Sequence, residues 1–421
     1  MTARTVPVAT PSENETGETA PGTGWFHAAL PLAASVLLVS MVAHFRVPLL
    51  ADIGRELAMS ASSLGLVATV FAIGRLALDL PVGRLADRID PLKLLAFAAA
   101  AMGVSSLGLA FAPSAAWVLW SSLLLGMASA TGNTTGMTAL SGSAPPARRG
   151  SAMALYSGAL LGGQALGPAV SGAVASLGTW RTAAFVATGL GLAVGVATAA
   201  WRRRTGHVPL RRNTKQGAGD DVAELTPLQR GALYGVCFSV FFTLGAMPQT
   251  LVPLLGAIDH GLRTATIGLA IGIGGSARML GAAISGAVSD RVSRRAALLP
   301  ALALQAAGVA LLAVGGSAAV WLAAIILMSL GSSGNAVAAT MLGDRTHGAR
   351  LGRTLGRYRF WGDIGLVVGP ALTAFVYDRA GVGPAVGLVS GVLIMCAVAA
   401  AVVVPETYGR GSRAVAGQEM T

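Results

Sequence analysis

A chain of 421 residues that is 54% hydrophobic and only 11% charged, with a mean hydropathy of +0.67, is too apolar for a water-soluble globular protein. Its net charge of +12 raises nucleic acid as a partner, but the basic residues lie between apolar runs, which argues against that partner and for membrane topology. Two cysteines, Cys237 and Cys396, fall inside apolar runs with no metal-ligand spacing, and no metal site or cofactor is expected.

Crossing a bilayer takes about 20 apolar residues. After a polar, disordered tail at 1–25 come twelve such runs, at 26–50, 62–82, 94–113, 115–138, 150–176, 181–201, 230–255, 265–285, 296–315, 318–342, 354–377 and 382–404. The first follows the polar tail without a small-residue cleavage site and reads as a retained span. The connections at 112–115 and 316–318 are short enough to be tight hairpins. The linker at 202–229 divides the chain into a six-span half at 26–201 and another at 230–404, and a tail at 405–421 closes it.

Polar groups inside these runs are costly, so they are expected to face a partner or a cavity. His44 and Arg46 lie near the far end of the first span, where Arg46 is expected to snorkel to the interface. Arg75 and Asp79 lie in the second span, Asn133 in the fourth, Gln164 in the fifth and Gln249 in the seventh. Arg278 lies in the eighth, Asn335 in the tenth, and Tyr358 and Asp363 in the eleventh. By helical rise, Arg75 stands about 12 Å above the loop that follows its span, and Asp363 about 15 Å above the start of its own. Two partners are therefore open to Arg75: Asp363 at similar depth, or Asp79 one turn away.

Of 30 Lys+Arg, four (Arg55, Arg181, Arg263, Arg379) fall on one side of the spans, and three (Arg46, Arg75, Arg278) lie within them. All the others fall on the side that carries both tails and the linker. Cytoplasmic loops are the basic ones, so both termini are expected in the cytoplasm of a multi-pass protein of the cell membrane.

The halves repeat. "VPLL" at 47–50 returns at 252–255, and Arg75 returns as Arg278. Gly132-Asn133 returns as Gly334-Asn335. Tyr156, Gly163, Gly167 and Pro168 return as Tyr358, Gly365, Gly369 and Pro370, all at an offset of 202. "GRLADRIDPLK" (83–93) returns, weakened, as "GAVSDRVSRR" (286–295), so Gly83, Asp87 and Arg88 match Gly286, Asp290 and Arg291.

Two parallel six-helix halves, with these loops, resemble the major facilitator superfamily of secondary transporters. The resemblance implies an all-α fold of twelve transmembrane helices in two pseudo-symmetric halves. It covers about residues 26–404. The loop at 83–93 is similar to that superfamily's motif between its second and third spans, except that Asp90 and Pro91 replace the expected glycine and its successor. "GGQALGPAVSG" (162–172), with Gly163, Gly167, Pro168 and Gly172, is similar to the fifth-span motif of drug/proton exporters, with Ser171 in place of one glycine. The resemblance implies a latch in which Gly83 permits close helix approach, Asp87 lies near a helix N-terminus, and Asp87 meets the basic start of the eleventh span, including Arg357. Arg88, Gly286, Asp290 and Arg291 complete that set. It also implies a cavity that takes Arg75, Asn133, Gln164, Gln249, Arg278, Asn335 and Tyr358 from its wall. Related exporters carry an arginine in the fourth span where Ser122 stands here, so Asp363, then Asp79, become the proton-coupling candidates.

Other chemistry is missing. The only lysines, Lys93 and Lys215, do not follow a glycine, so there is no phosphate-binding loop for ATP. No catalytic triad or large soluble loop stands out, and the protein is expected not to be an enzyme. The leading reading is a monomeric, proton-coupled exporter of a drug, antibiotic or metabolite. An alternative is uptake or exchange of a small anion through Arg75 and Arg278. A reading of another class is a membrane sensor or scaffold without flux.

Overall fold

The computed structural model describes residues 24–86, 88–145, 148–205, 225–346 and 350–407. Asp87, both tails and the middle of the linker lie outside them. Among the described residues the protein is all helix. The first half comprises α1 (Gly24–His44), α2 (Leu50–Glu56), α3 (Ala61–Ala86), α4 (Pro91–Ala110), α5 (Ala115–Ser143), α6 (Arg149–Ser176) and α7 (Trp180–Thr205). The second comprises α8 (Pro227–Ala246), α9 (Val252–Ile258), α10 (Thr264–Arg291), α11 (Arg294–Val314), α12 (Ala318–Gly331), α13 (Gly334–Asp344), α14 (Arg350–Ala380) and α15 (Val382–Val403). Ten segments are each long and apolar enough to cross a membrane. The other two crossings are α1 with α2, and α6, whose 28 residues suffice in length.

Local chemistry sets where these helices start and break. Asp90 caps α4 by accepting from the Leu92 amide at 2.9 Å, with Pro91 in the first turn. Its other oxygen takes Arg202 of α7 at 2.6 Å. The glycine of the resembled motif has been exchanged for a residue that begins the helix. Thr226 and Gln229 form a reciprocal capping box at α8. The α11–α12 hairpin turns on Gly315 and Gly316, at φ of 69° and 110°, which other residues adopt only under strain. Three crossings are interrupted: α1 and α2 by a turn at 45–49, α8 and α9 by a five-residue π-helical turn at Met247–Leu251, and α12 and α13 at Ser332 and Ser333.

The two ends of the molecule differ. At the end with the short hairpins, a single buried apolar core draws on both halves. It includes Val47, Leu49 and Leu50 from the first "VPLL" and Val252, Leu254 and Leu255 from the second. At the opposite end, which carries the charged loops, each half keeps a core of its own. The halves therefore adhere at the hairpin end and separate toward the loop end.

The fifth-span glycines explain part of that adhesion. A Cβ at Gly163 would strike the Leu37 carbonyl of α1, and one at Gly167 would come within 2.5 Å of the Met41 carbonyl. Gly172 lies against α10 of the other half, where a Cβ would meet the Thr264 carbonyl at 2.6 Å. Their repeat partners Gly365 and Gly369 press α14 onto α8 in the same way. Gly83 behaves otherwise. A Cβ there, or at Gly286, would meet nothing within 4 Å among the described residues, so in this conformation no close helix approach depends on the loop glycines.

Candidate functional site

A cavity of about 440 Å³ lies between the halves. It extends from the hairpin-end core, at Val47 and Pro248, toward the loop-end portions of α5, α6, α13 and α14. Arg75, Asn133, Gln164, Gln249, Arg278, Asn335, Tyr358 and Asp363 all line it. His44, Tyr156, Pro168 and Arg359 join them, with an apolar wall that includes Leu160, Phe241 and Ile325.

The polar groups come in related pairs. Tyr156 donates to the Asn133 carbonyl at 3.1 Å, and Tyr358 donates to the Asn335 carbonyl at 2.6 Å and to its side-chain Oδ1 at 2.8 Å. Each half thus ties the span carrying its asparagine to the following span through the same kind of bond. Gln164 crosses the divide and accepts from Arg278 Nη1 at 3.2 Å. His44 donates from Nδ1 to the Ser40 carbonyl at 2.8 Å, which leaves Nε2 as the acceptor nitrogen of the neutral ring.

The charges are arranged differently from either pairing open to Arg75. Among the described residues, Arg75 has no carboxylate oxygen within the 4.0 Å of an ion pair, and its buried Nε makes no hydrogen bond. Asp79 faces Arg359 of α14, at 3.8 Å and across the two halves. Asp363 is 6% exposed and makes no ion pair among the described residues. Arg75 and Arg359 line the same cavity as Asp363. Arg75 and Arg278, one from each half, line the same cavity. Three arginines and one carboxylate therefore share a wall that is otherwise largely apolar.

Sequence reasoning placed Arg359 in the basic start of the eleventh span and left it, like Tyr156, out of the cavity. Leu355, Arg359 and Asp363 follow at intervals of four and all line the cavity, so the helical period from Asp363 would have found it. Arg46 is a correction. It is 3% exposed, inside the first half and not at an interface. Both cysteines are free and buried.

At the loop end, Arg88, Arg291, Arg357 and Asp290 are exposed, while the Asp87 of the expected latch lies outside the described residues. Asp290 pairs with Arg294 at 2.6 Å, and Arg294 also takes Asp344 at 3.0 Å, so the second copy of the motif is knitted within its own half. At the hairpin end the tethers run between halves. Asp378 accepts from the Ser62 amide at 2.7 Å and from its hydroxyl, and Asp52 accepts from the Thr264 hydroxyl.

The family model described as Major Facilitator Superfamily matches residues 32–314 and 251–419. Among solved structures, the chain is similar to a bacterial homolog of the human lysosomal transporter Spinster in its inward-facing, occupied conformation. That match has a TM-score of 0.72 at 15% identity and covers 90% of this chain and 95% of that one. The unoccupied inward-facing conformation of the same homolog matches with a TM-score of 0.67 at 15% identity, over 92% and 96%. A mutant of the nucleoside transporter NupG matches with a TM-score of 0.73 at 11% identity, over 89% and 99%. No curated protein matches the chain in sequence. At these identities the structural likeness speaks for the fold.

Proposed function

Because the chain belongs to the Major Facilitator Superfamily and is a transporter, not an enzyme, we propose that its central cavity exports a small amphiphilic compound against an inward flow of protons. On this reading the loop end and both termini face the cytoplasm, the membrane is the cytoplasmic one, and a single chain suffices because both cavity walls belong to it. The cavity reaches toward the loop end while the hairpin end shares one core, which supports an inward-facing state. Exposed Arg88 and Arg357, at an end where the halves share no core, fit a latch around Asp87 that closes only in the opposite state.

One observation carries the coupling: Asp363 is a buried carboxylate with no ion-pair partner among the described residues, on the wall of a cavity that Arg75 also lines. Burial favours the protonated acid, and an approaching guanidinium favours the carboxylate. Rocking of the halves that changes the Arg75–Asp363 separation would therefore load and release a proton. The test is transport by purified protein in liposomes. Asp363→Asn should bind substrate and equilibrate it downhill, yet fail to concentrate it when a pH gradient is the only driving force. Accumulation by that variant would overturn the assignment.

A second reading is favoured by a separate observation, the two guanidiniums Arg75 and Arg278 on the wall of one cavity with no carboxylate within 4.0 Å among the described residues. Such a pair fits an anionic substrate, taken up or exchanged. Flux driven by an anion gradient with the pH equal on both sides, and lost in Arg75→Gln, would select it over export.

A further inference from the structure

His44 and Gln249 occupy the same place in the two halves. Each stands three residues before its copy of "VPLL", at an offset of 205. Each also sits where a crossing is interrupted: His44 is the last residue of α1, and Gln249 lies within the π-helical turn at Met247–Leu251. Both line the cavity, beside Val47 and Pro248, where it meets the core shared by the halves. Local contacts fix each of them. The Ser40 carbonyl holds Nδ1 of His44, and the His44 Cβ lies 3.3 Å from where a Cβ on Gly167 of α6 would stand. Thr250 donates to the Gly245 carbonyl at 3.0 Å, five residues back, and so braces the wide turn that carries Gln249. Neither residue spends its full hydrogen-bonding capacity on the protein. Among the described residues the Gln249 amide makes no side-chain hydrogen bond, and Nε2 of His44 makes none either.

A repeated pair of neutral groups at one end of a cavity selects by chemistry. Nε2 of a neutral imidazole with its proton on Nδ1 only accepts, whereas a primary amide both donates and accepts. The occupant must therefore bring a proton to His44. A carboxylate has none to bring. An ammonium has, but three guanidiniums against one carboxylate on the same wall, Arg75, Arg278 and Arg359 against Asp363, oppose a cation. Hydroxyl and carboxamide groups satisfy both residues, and Leu160, Phe241 and Ile325 leave an apolar surface for the rest of the molecule. We propose that His44 and Gln249 hold the head of the transported compound, and that this head is uncharged and carries hydroxyl or carboxamide groups. The proposal rests on the reading of the central cavity as the transport site and names the class of compound that it takes.

The experiment uses the full-length protein in lipid nanodiscs, titrated by calorimetry with two probes. One is 3-phenoxypropane-1,2-diol. The other is its di-O-methyl ether, which keeps the ring and the acceptor oxygens but has no proton to give. The diol should bind saturably and about tenfold tighter than the ether. His44→Phe should erase that preference, and His44→Gln, which restores an acceptor, should recover it. Gln249→Leu should weaken binding of the diol about tenfold, and serves if His44→Phe does not fold. No saturable binding of the diol, equal affinities in the parent, or a preference and affinity left intact by both His44→Phe and Gln249→Leu would overturn the proposal. Calorimetry reads the site without flux, so the expected pattern with no pH-driven movement of the diol across liposomes would count against proton-coupled export and for the site.

Discussion

Replacing Arg278 with Gln leaves the side chain long and polar but removes the charge beside Gln164. Hydrogen bonds to charged groups contribute about 1.5–3 kcal/mol, so an anionic substrate held there should lose roughly 10- to 100-fold in affinity, readable by calorimetry. A neutral substrate should lose little. At the hairpin end, Glu56 receives Arg181 at 2.6 Å and Trp180 at 2.5 Å, and these hydrogen bonds hold its carboxyl below the usual range. A depressed pKa adds stability that is present above the ordinary value of 4.5 and is lost as pH falls through the folded one. The pair is exposed, so the effect should stay under about 1 kcal/mol. Unfolding temperatures of the parent should approach those of Glu56→Gln as pH is lowered from 4.5 through the folded value, and a gap that stays constant over that descent would contradict this origin. The cavity residues were largely legible in the sequence because the 202-residue repeat singles out Asn133, Asn335, Tyr156 and Tyr358 from a background of alanine and leucine. The partners of Arg75 and Asp79 were not. Helical rise fixes how deep a side chain lies, but its azimuth depends on how α3 and α14 are rotated against each other, which no local pattern encodes.

Helix contacts in this protein rest on backbone meeting backbone, and that makes individual glycines decisive. Gly167→Val would push two methyl groups into the Met41 carbonyl of α1, where no flexible side chain can give way. We expect a loss of about 3 kcal/mol or more, with a lowered unfolding temperature. Gly158→Val, earlier on the same α6 but with nothing within 4 Å of its added Cβ among the described residues, should be nearly neutral. Equal losses in the two variants would refute the close-approach account. The same contrast separates the loop glycines from those of α6 in this conformation. Gly83 and Gly286 match a motif, yet their surroundings are open, whereas Gly163 and Gly167 match another motif and are pressed against α1. Composition shows that a glycine is present, and only the path of the neighbouring chain shows whether its missing side chain is needed.

For the molecule as a whole, the two halves and their repeat could be read from the sequence, but which end stays closed could not, since both ends repeat equally well. Closure depends on the apolar core shared at the hairpin end and on the tethers from Asp52 and Asp378. The double variant Asp52→Asn and Asp378→Asn should weaken both tethers and shift the population toward opening there by about tenfold. Spin labels at Ser60 and Gly383, both exposed, would report it as a longer distance, and an unchanged distribution would show the tethers to be incidental. Tags at 215 and at both termini should be cytoplasmic, and a tag at 58 external.

The shared core has a thermal consequence. To open at the hairpin end, the halves must wet Val47, Leu50, Leu251 and their neighbours, and apolar hydration carries a large heat capacity. The balance between the two faces is therefore a curved function of temperature, and adhesion at the hairpin end loosens in the cold. A transporter closed by salt bridges alone would give a nearly straight van 't Hoff plot; this one should bend.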